Sequence, residues 1–281
     1  MSSAGEAIAA YGAFAPSAAQ KALIGFGHAM PRNWLGQRGA TAARFVIQRL
    51  WPRPVDGERL GSRMRLNPVG NASERRLLIS PQFFDPEVLA LLATRIKPGM
   101  VFIDVGANAG TYSLFVAGRT GPDARILAVE PNPGARERLA CNVALNGYRT
   151  VEVIAAAIGA SEGEADLLVN ARNMGTSSVR RDWDGMSGSQ TIRVPCLTLA
   201  GLAAAKGLTR IDAVKVDVEG AEDDVLAPLL EHGAPGLWPG LLIVEENRAR
   251  WRIDVLALAA ARGYRQILNS GGNVVLEWAP N

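Results

Sequence analysis

Three features of the sequence predict a doubly wound, Rossmann-like α/β fold with a mostly parallel sheet. From residue 98 onward, short apolar runs alternate with helix-like stretches, the pattern of a parallel sheet covered by helices. One such run, inside "VFIDVGANAGTYSL" (residues 101–114), ends on a carboxylate, Asp104, and then sheds its side chains into a turn containing Gly106 and Gly110. The last two runs, "YRQILNS" and "NVVLEWA", flank a Gly-Gly pair and read as a closing antiparallel hairpin.

Taken in order, "MVFIDV" is the first parallel strand and "GTYSLFVAGR" the helix behind it. "RILAVE" is the second strand, followed by the helix "NPGARERLACNVALNG", which Gly147 closes. "VEVIAAAI" is the third strand. Residues 160–197 interrupt the alternation: "GEADLLVN" and "SQTIRVPCL" read as an inserted antiparallel pair joined by a long polar connection. Connections of that length inside a compact domain are usually functional or mobile. "IDAVKVDV" resumes the sheet, followed by the helix "AEDDVLAPLLE", then the strand "GLLIVEE" and the helix "RIDVLALAAARG". Ahead of this unit, residues 1–60 read as a helical arm, with "TAARFVIQRLW" its best amphipathic piece and "WPRP" its stop. The main domain is expected over 61–281, with "RMRLNPV" as an added edge strand.

Composition narrows the class. A hydrophobic content of 48% with 20% charged residues excludes a disordered chain. No apolar run reaches the roughly 18 residues of a membrane span. The N-terminal stretch lacks the basic and apolar regions of a secretory leader. Cys141 and Cys196 form no C-x-x-C pair, and neither they nor His28 and His232 have zinc-site spacing, so a reduced, cytoplasmic protein is expected. Charge is uneven: residues 1–65 hold nine Lys/Arg against three Asp/Glu, leaving 21 and 24 for the rest. The basic lead segment is either a solvated helical arm or a peripheral contact with a membrane surface carrying a lipid-linked acceptor.

The chemistry lies at strand ends. A strand, a bare turn and a helix place a ligand at the carboxyl edge of the sheet. The spacing G-A-N-A-G departs from the G-x-G-x-x-G of dinucleotide sites, and Asp104 would repel a pyrophosphate while suiting a cation. Glu130 ends the second strand, 24 residues beyond Gly106, where an acid accepts hydrogen bonds from ribose hydroxyls. A nucleoside with a positive charge follows, and S-adenosyl-L-methionine is such a molecule. A tight turn edged by surface carboxylates is the plainer alternative.

"DVGANAGTYS", "VEPNP", "NVALNG" and "KVDVEGAEDDVL" together resemble the FkbM family of S-adenosylmethionine-dependent methyltransferases, over roughly residues 100–246. The resemblance implies a class I methyltransferase fold, seven strands with a final antiparallel hairpin, and O-methylation of a sugar, glycolipid or polyketide-like acceptor. By motif position, Asp104, Gly106, Asn108 and Gly110 would surround the methionine part of the cofactor. Glu130 would hold the ribose, with Asn132 and Asn142 on the same side.

An alcohol is a poor nucleophile unless its proton is taken as the new bond forms. Asp217 and Glu219, at the end of the fourth strand, are the candidates for that base. A bound divalent ion or a helix-capping role are the other readings of the same pair, and no metal ligand set is assigned. Glu222 suits the capping role, and Lys215 is expected to point away from Asp217's neighbour on the opposite face, in a structural salt bridge. Glu245, ending the fifth strand, would orient acceptor hydroxyls or stand as a solvated charge. "GTSSV" offers Ser177 and Ser178 to cofactor or acceptor, and Trp183 would stack on a sugar ring or anchor the loop. The fourth strand has no Pro-Pro-aromatic ending to clamp a flipped base, so nucleic acid is not expected as partner. An NAD-dependent oxidoreductase, or a non-catalytic nucleoside-binding protein on the same fold, is the alternative function. Oligomeric state is not legible.

Overall fold

The computed structural model describes residues 9–170, 173–175, 177–179 and 190–279. The N-terminal arm holds helices α1 (Ala18–His28) and α2 (Trp34–Leu50), opened by Ser17 in a reciprocal capping box and by Asn33. Strands β1 (Val55–Arg59) and β2 (Ser62–Leu66) pair only with each other. The predicted edge strand is thus half of a separate hairpin with a tight turn between its strands. Leu60 and Gly61, both with positive φ, make that turn. Helices α3 (Ala72–Ile79) and α4 (Pro86–Ala93) follow.

The central unit runs β3 (Val101–Val105), α5 (Thr111–Ala117), β4 (Arg125–Val129), α6 (Pro133–Asn146) and β5 (Val151–Ile154). The predicted third strand breaks after β5. Its second half, β6 (Ala157–Ile158), leaves the main sheet for a three-stranded one with β7 (Gly163–Val169) and β8 (Gln190–Leu197), in the order β6-β8-β7. This sheet contains the predicted insertion. After α7 (Leu199–Ala205) come β9 (Ala213–Val216), α8 (Glu222–His232), β10 (Leu241–Glu245), α9 (Val255–Ala261), β11 (Tyr264–Ser270) and β12 (Asn273–Trp278).

The main sheet has seven strands in the order β11-β12-β10-β9-β3-β4-β5. Only β12 runs against its neighbours. This is the class I methyltransferase sheet, parallel throughout except for the closing hairpin. From β3 the chain moves outward one way through β4 and β5, and later returns to the other side with β9 and β10. Strand order therefore reverses between β3 and β9, the point where open α/β sheets leave a crevice at their carboxyl edge.

Alternation along each strand sorts side chains onto two faces. Ile103, Val105, Leu127, Val214, Val216, Leu242 and Val244 pack on α7, α8 and α9 in one core. Phe102, Ile126, Ala128, Ala213 and Ile243 belong to the other core, which also takes in α3, α4, α5 and the arm residues Ile24, Ala43 and Ile47. The arm is therefore packed into the main core rather than lying beside it. The parity that puts Phe102, Ala128, Ala213 and Ile243 on this second face also assigns Asp104, Glu130, Lys215, Asp217 and Glu245 to it.

Phe102 is fully buried at the centre of that face. Phe102→Ala is expected to lower unfolding free energy by about 3–5 kcal/mol, through lost burial plus the cavity left behind. Urea denaturation followed by circular dichroism measures it; a loss below about 1 kcal/mol would show a face that collapses around the gap.

Candidate active site

The carboxyl ends of β3, β4, β9 and β10 open into a cavity of about 280 Å³. Its floor begins at the β3–α5 turn. Gly106 and Ala107 donate their N–H groups to the Val129 carbonyl, and Asp217 N–H donates to the Val105 carbonyl, locking the turn between two strands. A Cβ on Gly106 would lie 1.9 Å from the Asp217 carbonyl oxygen, and its φ is +80°. Its bareness is thus required first by the close approach of β9.

Asp104 is fully buried, and Ser113 donates to its Oδ2 from both the backbone N–H (3.0 Å) and Oγ (2.6 Å). Its Oδ1 is buried without a hydrogen-bond partner among the described residues. Burial raises its pKa, against the opposing pull of Lys215 and Ser113. An orphaned carboxylate oxygen on a cavity wall fits an ammonium-bearing ligand group.

Glu130 is held by one backbone N–H on each oxygen: Asn132 donates to Oε1 and Asn108 to Oε2, both at 2.8 Å. Each oxygen keeps acceptor capacity for one further donor, the demand of a vicinal diol. Burial pushes its pKa up to about 7 despite those two N–H groups. Together the Asp104 and Glu130 oxygens fit the two polar ends of S-adenosyl-L-methionine.

On the other side stand the acids of β9 and β10. Lys215 makes the expected salt bridge, and its partner is Asp217. The two lie on one face, with Nζ donating to Asp217 Oδ2 at 2.7 Å, and Lys215 sits 4.8 Å from the Tyr112 ring centroid. Burial works against the ammonium, but Asp217, Asp104 and Asp85 outweigh it and raise the Lys215 pKa. The Tyr112 hydroxyl donates to Asp85 at 2.9 Å.

Carboxylate oxygens of Asp217, Glu219 and Glu245 lie within 4.8 Å of one another. Burial, then Asp217 and Glu222, push the Glu219 pKa up to about 7. Burial and the charges of Asp217, Glu219 and Glu222 raise Glu245 further, with a hydrogen bond to Asp217. Three carboxyls so close must hold protons or a cation. The Lys215 ammonium supplies one positive charge, and a proton on Glu245 relieves a second repulsion.

The backbone is strained around this group. Glu219 (φ 57°), Asn108 (φ 51°) and Asp85 (φ 41°) are non-glycine residues in left-handed conformation, and all three line the cavity. The Glu219 turn is fixed from behind by Glu222, whose Oε1 accepts the N–H groups of Val218 (3.1 Å) and Gly220 (2.9 Å). Trp251 Nε1 donates to the other Glu222 oxygen at 2.6 Å. This holds the turn rather than capping the helix.

Several predicted residues stand behind the wall. Gly110 opens α5, and a Cβ there would strike Leu114 and Leu139, so it serves packing. Asn142 spans Arg65 N–H and the Ala109 carbonyl, tying β2 to the turn. Asn132 caps α6 through Gly134 and donates to the Met174 carbonyl and to Ser177 Oγ. Ser178 is buried, exchanges backbone hydrogen bonds with Leu168, and donates from Oγ to the Glu219 carbonyl at 3.3 Å. These four support the site without lining it. Ser177 does line it, as do Asp104, Gly106, Asn108, Glu130, Asp217, Glu219 and Glu245. Trp183 lies outside the described residues.

The cavity also draws on residues the sequence reading passed over. Asp85 and Tyr112 line it with Lys215, and Ser73, Asn173 and Met174 close it from the arm side and the insertion. Asn71, outside the lining, braces it by donating to Asn108 Oδ1 at 2.5 Å. Tyr112 was available as the aromatic directly behind the glycine turn. Asp85 carried no signal, because its approach is made in space only.

A family model described as the methyltransferase FkbM domain matches residues 104–271. The AMB antimetabolite synthetase AmbE of Pseudomonas aeruginosa is 31% identical over 192 residues, covering 57% of this chain and 9% of that protein. Methyltransferase sdnD of Sordaria araneosa is 31% identical over 151 residues, covering 44% of this chain and 58% of that protein. The chain thus spans less than two thirds of the length of these curated relatives. A solved SAM-dependent methyltransferase from Aquifex aeolicus aligns over 75% of this chain and 95% of its own, at 16% identity and a TM-score of 0.42.

Glu219 yields a test of the crowding. A carboxyl whose pKa is raised on folding costs stability once pH climbs from its ordinary value through the raised one, because the fold disfavours the ionised form. Glu219→Gln removes that cost, so its Tm should exceed the parent's by a few degrees near pH 8 and match it near pH 4.5. Thermal melts at the two pH values decide; equal shifts at both would show a carboxylate that is not crowded.

Proposed function

Since the chain belongs to the FkbM methyltransferase family, an S-adenosylmethionine-dependent group, we propose that its cavity performs O-methylation of a hydroxyl-bearing small molecule or glycan. Bound cofactor supplies the methyl group. The protein's own residues must hold the acceptor oxygen, exclude water and take one proton. Asp104 and Glu130 carry the cofactor-binding side of the reading, for the reasons of charge and free lone pairs given above. The observation that carries the acceptor side is the trio Asp217, Glu219 and Glu245 beside Lys215, on the wall opposite Glu130.

Division of labour follows from protonation. Asp217 is engaged by Lys215, which fixes its carboxylate and makes it a good positioning group for the acceptor hydroxyl. Glu245 is held protonated, so it donates a hydrogen bond rather than accepting a proton. Glu219, with a pKa of about 7, changes state near neutral pH and has no side-chain ion pair among the described residues. A general base works best with its pKa near the working pH. The acceptor O–H proton therefore passes to a Glu219 carboxylate oxygen as the oxygen–methyl bond forms, and leaves to solvent after product release. Of the two candidates, Glu219 takes the role of base, and Asp217 becomes the partner that aims the hydroxyl.

With an acceptor in hand, turnover should rise with pH and level off above about pH 7. Glu219→Gln should lower kcat about 100-fold or more, while the affinity for S-adenosylhomocysteine, measured by titration calorimetry, stays within about threefold. Chelator should leave the rate unchanged. Full activity of the Gln variant would remove Glu219 from the chemistry, and a rate that requires added magnesium would make the carboxylate trio a cation site instead.

A further inference from the structure

A second hollow continues from the cavity. Arg76, Asp85 and Gly271 line the cavity and also a groove of about 570 Å³ that runs toward the N-terminal arm. Its far wall carries Arg32, Trp34, Gln37 and Arg44, from α2 and the segment before it. The groove is thus built by residues ahead of the family-matched segment, 104–271, apart from Gly271.

Its charges are unbalanced in a particular way. Arg44 donates to two hydroxyls, Ser80 Oγ at 3.2 Å and Thr41 Oγ1 at 2.7 Å, and makes no ion pair with a carboxylate among the described residues. The Arg76 guanidinium makes no hydrogen bond and no ion pair among them, although its charge is felt by Asp85. Both guanidiniums belong to one electropositive group with Arg75, and burial together with those two neighbours depresses the Arg44 pKa. The carboxylates nearby are engaged elsewhere. Asp85 accepts from Tyr112, and Glu87 pairs with Arg32 and accepts from Ser270. Two neighbouring guanidiniums, neither in direct contact with a carboxylate, repel one another; Asp85 lends Arg76 some opposite charge from a distance, and an anion placed between the two would satisfy both.

We infer that this groove is a subsite for an anionic group of the acceptor, a phosphate or carboxylate held by Arg44 and Arg76. The acceptor class is then an acidic polyol, such as a glycosyl phosphate or a uronic acid. Its reacting hydroxyl enters the cavity past Asp85 and Gly271, and its charged group stays in the groove. Trp34, 64% exposed at the groove, offers an aromatic face to the remainder. The inference rests on the methyltransferase reading of the cavity and adds the charge of its substrate.

Titration calorimetry with glucose 1-phosphate, glucuronate and glucose tests it, using the full chain with S-adenosylhomocysteine present. At least one of the two anions should bind about tenfold or more tightly than glucose, with an affinity that weakens as salt is added. Which one does so separates a phosphate from a carboxylate subsite. Arg44→Gln and Arg76→Gln should each weaken the anion by about threefold to tenfold, and together abolish the preference over glucose. Arg193→Gln, on the remote strand β8, should change nothing. Unaltered S-adenosylhomocysteine affinity in every variant certifies the fold and the cofactor site. Equal binding of charged and neutral sugars, no binding of either anion, or a preference that survives the double substitution would overturn the subsite. Failure of S-adenosylhomocysteine to bind the parent protein would instead strike the methyltransferase reading, and the anion preference would still be measurable without it.

Discussion

The cavity depends on one buried positive charge. Lys215 is 4% exposed and stands on a strand flanked by two others, where an ammonium is costly unless compensated. It is compensated several times over: Asp217 at hydrogen-bond distance, then Asp104 on the adjacent strand and Asp85 from the arm side of the cavity. The register sets this up, since Asp104 lies directly beside Lys215 across the β3–β9 ladder. Without the ammonium the acids at these strand ends would have one another as charged neighbours, each disfavouring the others' ionised form. With it, Asp217 keeps a charge partner while Glu219 and Glu245, further from the ammonium's grip, drift upward. One lysine therefore gives three neighbouring carboxyls unlike surroundings, the condition for giving them different tasks.

The backbone shows the same concentration of cost. A left-handed conformation is unfavourable for a residue with a Cβ, and three of the four such residues among those described line the cavity. Each is pinned by partners that leave it no cheaper geometry. Asn108 is held between Asn71 and Glu130, Glu219 between the Glu222 turn and Ser178, and Asp85 by Tyr112. Strain and crowded charge at the same residues are expected where preorganisation, rather than stability, decides which arrangements persist.

Much of this could be read from the chain before any coordinates, and the gaps have physical causes. The parallel strands announce themselves as apolar runs because both sheet faces are covered, and Asp104, Glu130, Asp217 and Glu245 stand out as acids ending such runs. Period-two alternation places Asp217 with Lys215, and the salt bridge expected of the lysine is the one it makes with Asp217; what the sequence did not show is how many acids that one ammonium serves. Gly110, Asn132 and Asn142 carried the family pattern but act on the scaffold. A motif records which residues a turn needs, without separating those that touch a ligand from those that hold the turn. The break between β5 and β6 was invisible because "VEVIAAAI" is equally apolar in both halves. Asp85 and Arg76 were missed for a different reason. They reach the cavity from α3 and the turn before α4, segments with no motif, and only the packing of the arm brings them there.

That packing also changes what the basic lead segment means. Its charge excess looked like a uniform patch facing outward, but the arginines have separate duties. Arg65 is absorbed by Asp56, and Arg59 by the carbonyls of Leu77 and Leu78. Arg44, with Arg76 on α3, is left facing the groove. On the other rim, the insertion meets the arm directly: Met174 N–H donates to the Gly70 carbonyl and Ala72 N–H to Asn173 Oδ1. Arm and insertion are therefore one structure at the cavity mouth, although a hundred residues separate them in the chain. The sheet gathers the bare turn and the strand-end acids at one edge, and all of them lie within the family-matched segment. Beyond that edge, the two segments that interrupt or precede it close the cavity with polar side chains such as Arg76 and Asn173 beside apolar ones such as Phe84 and Met174, so the mouth adds a positive charge and apolar contact surface to the acids of the sheet edge.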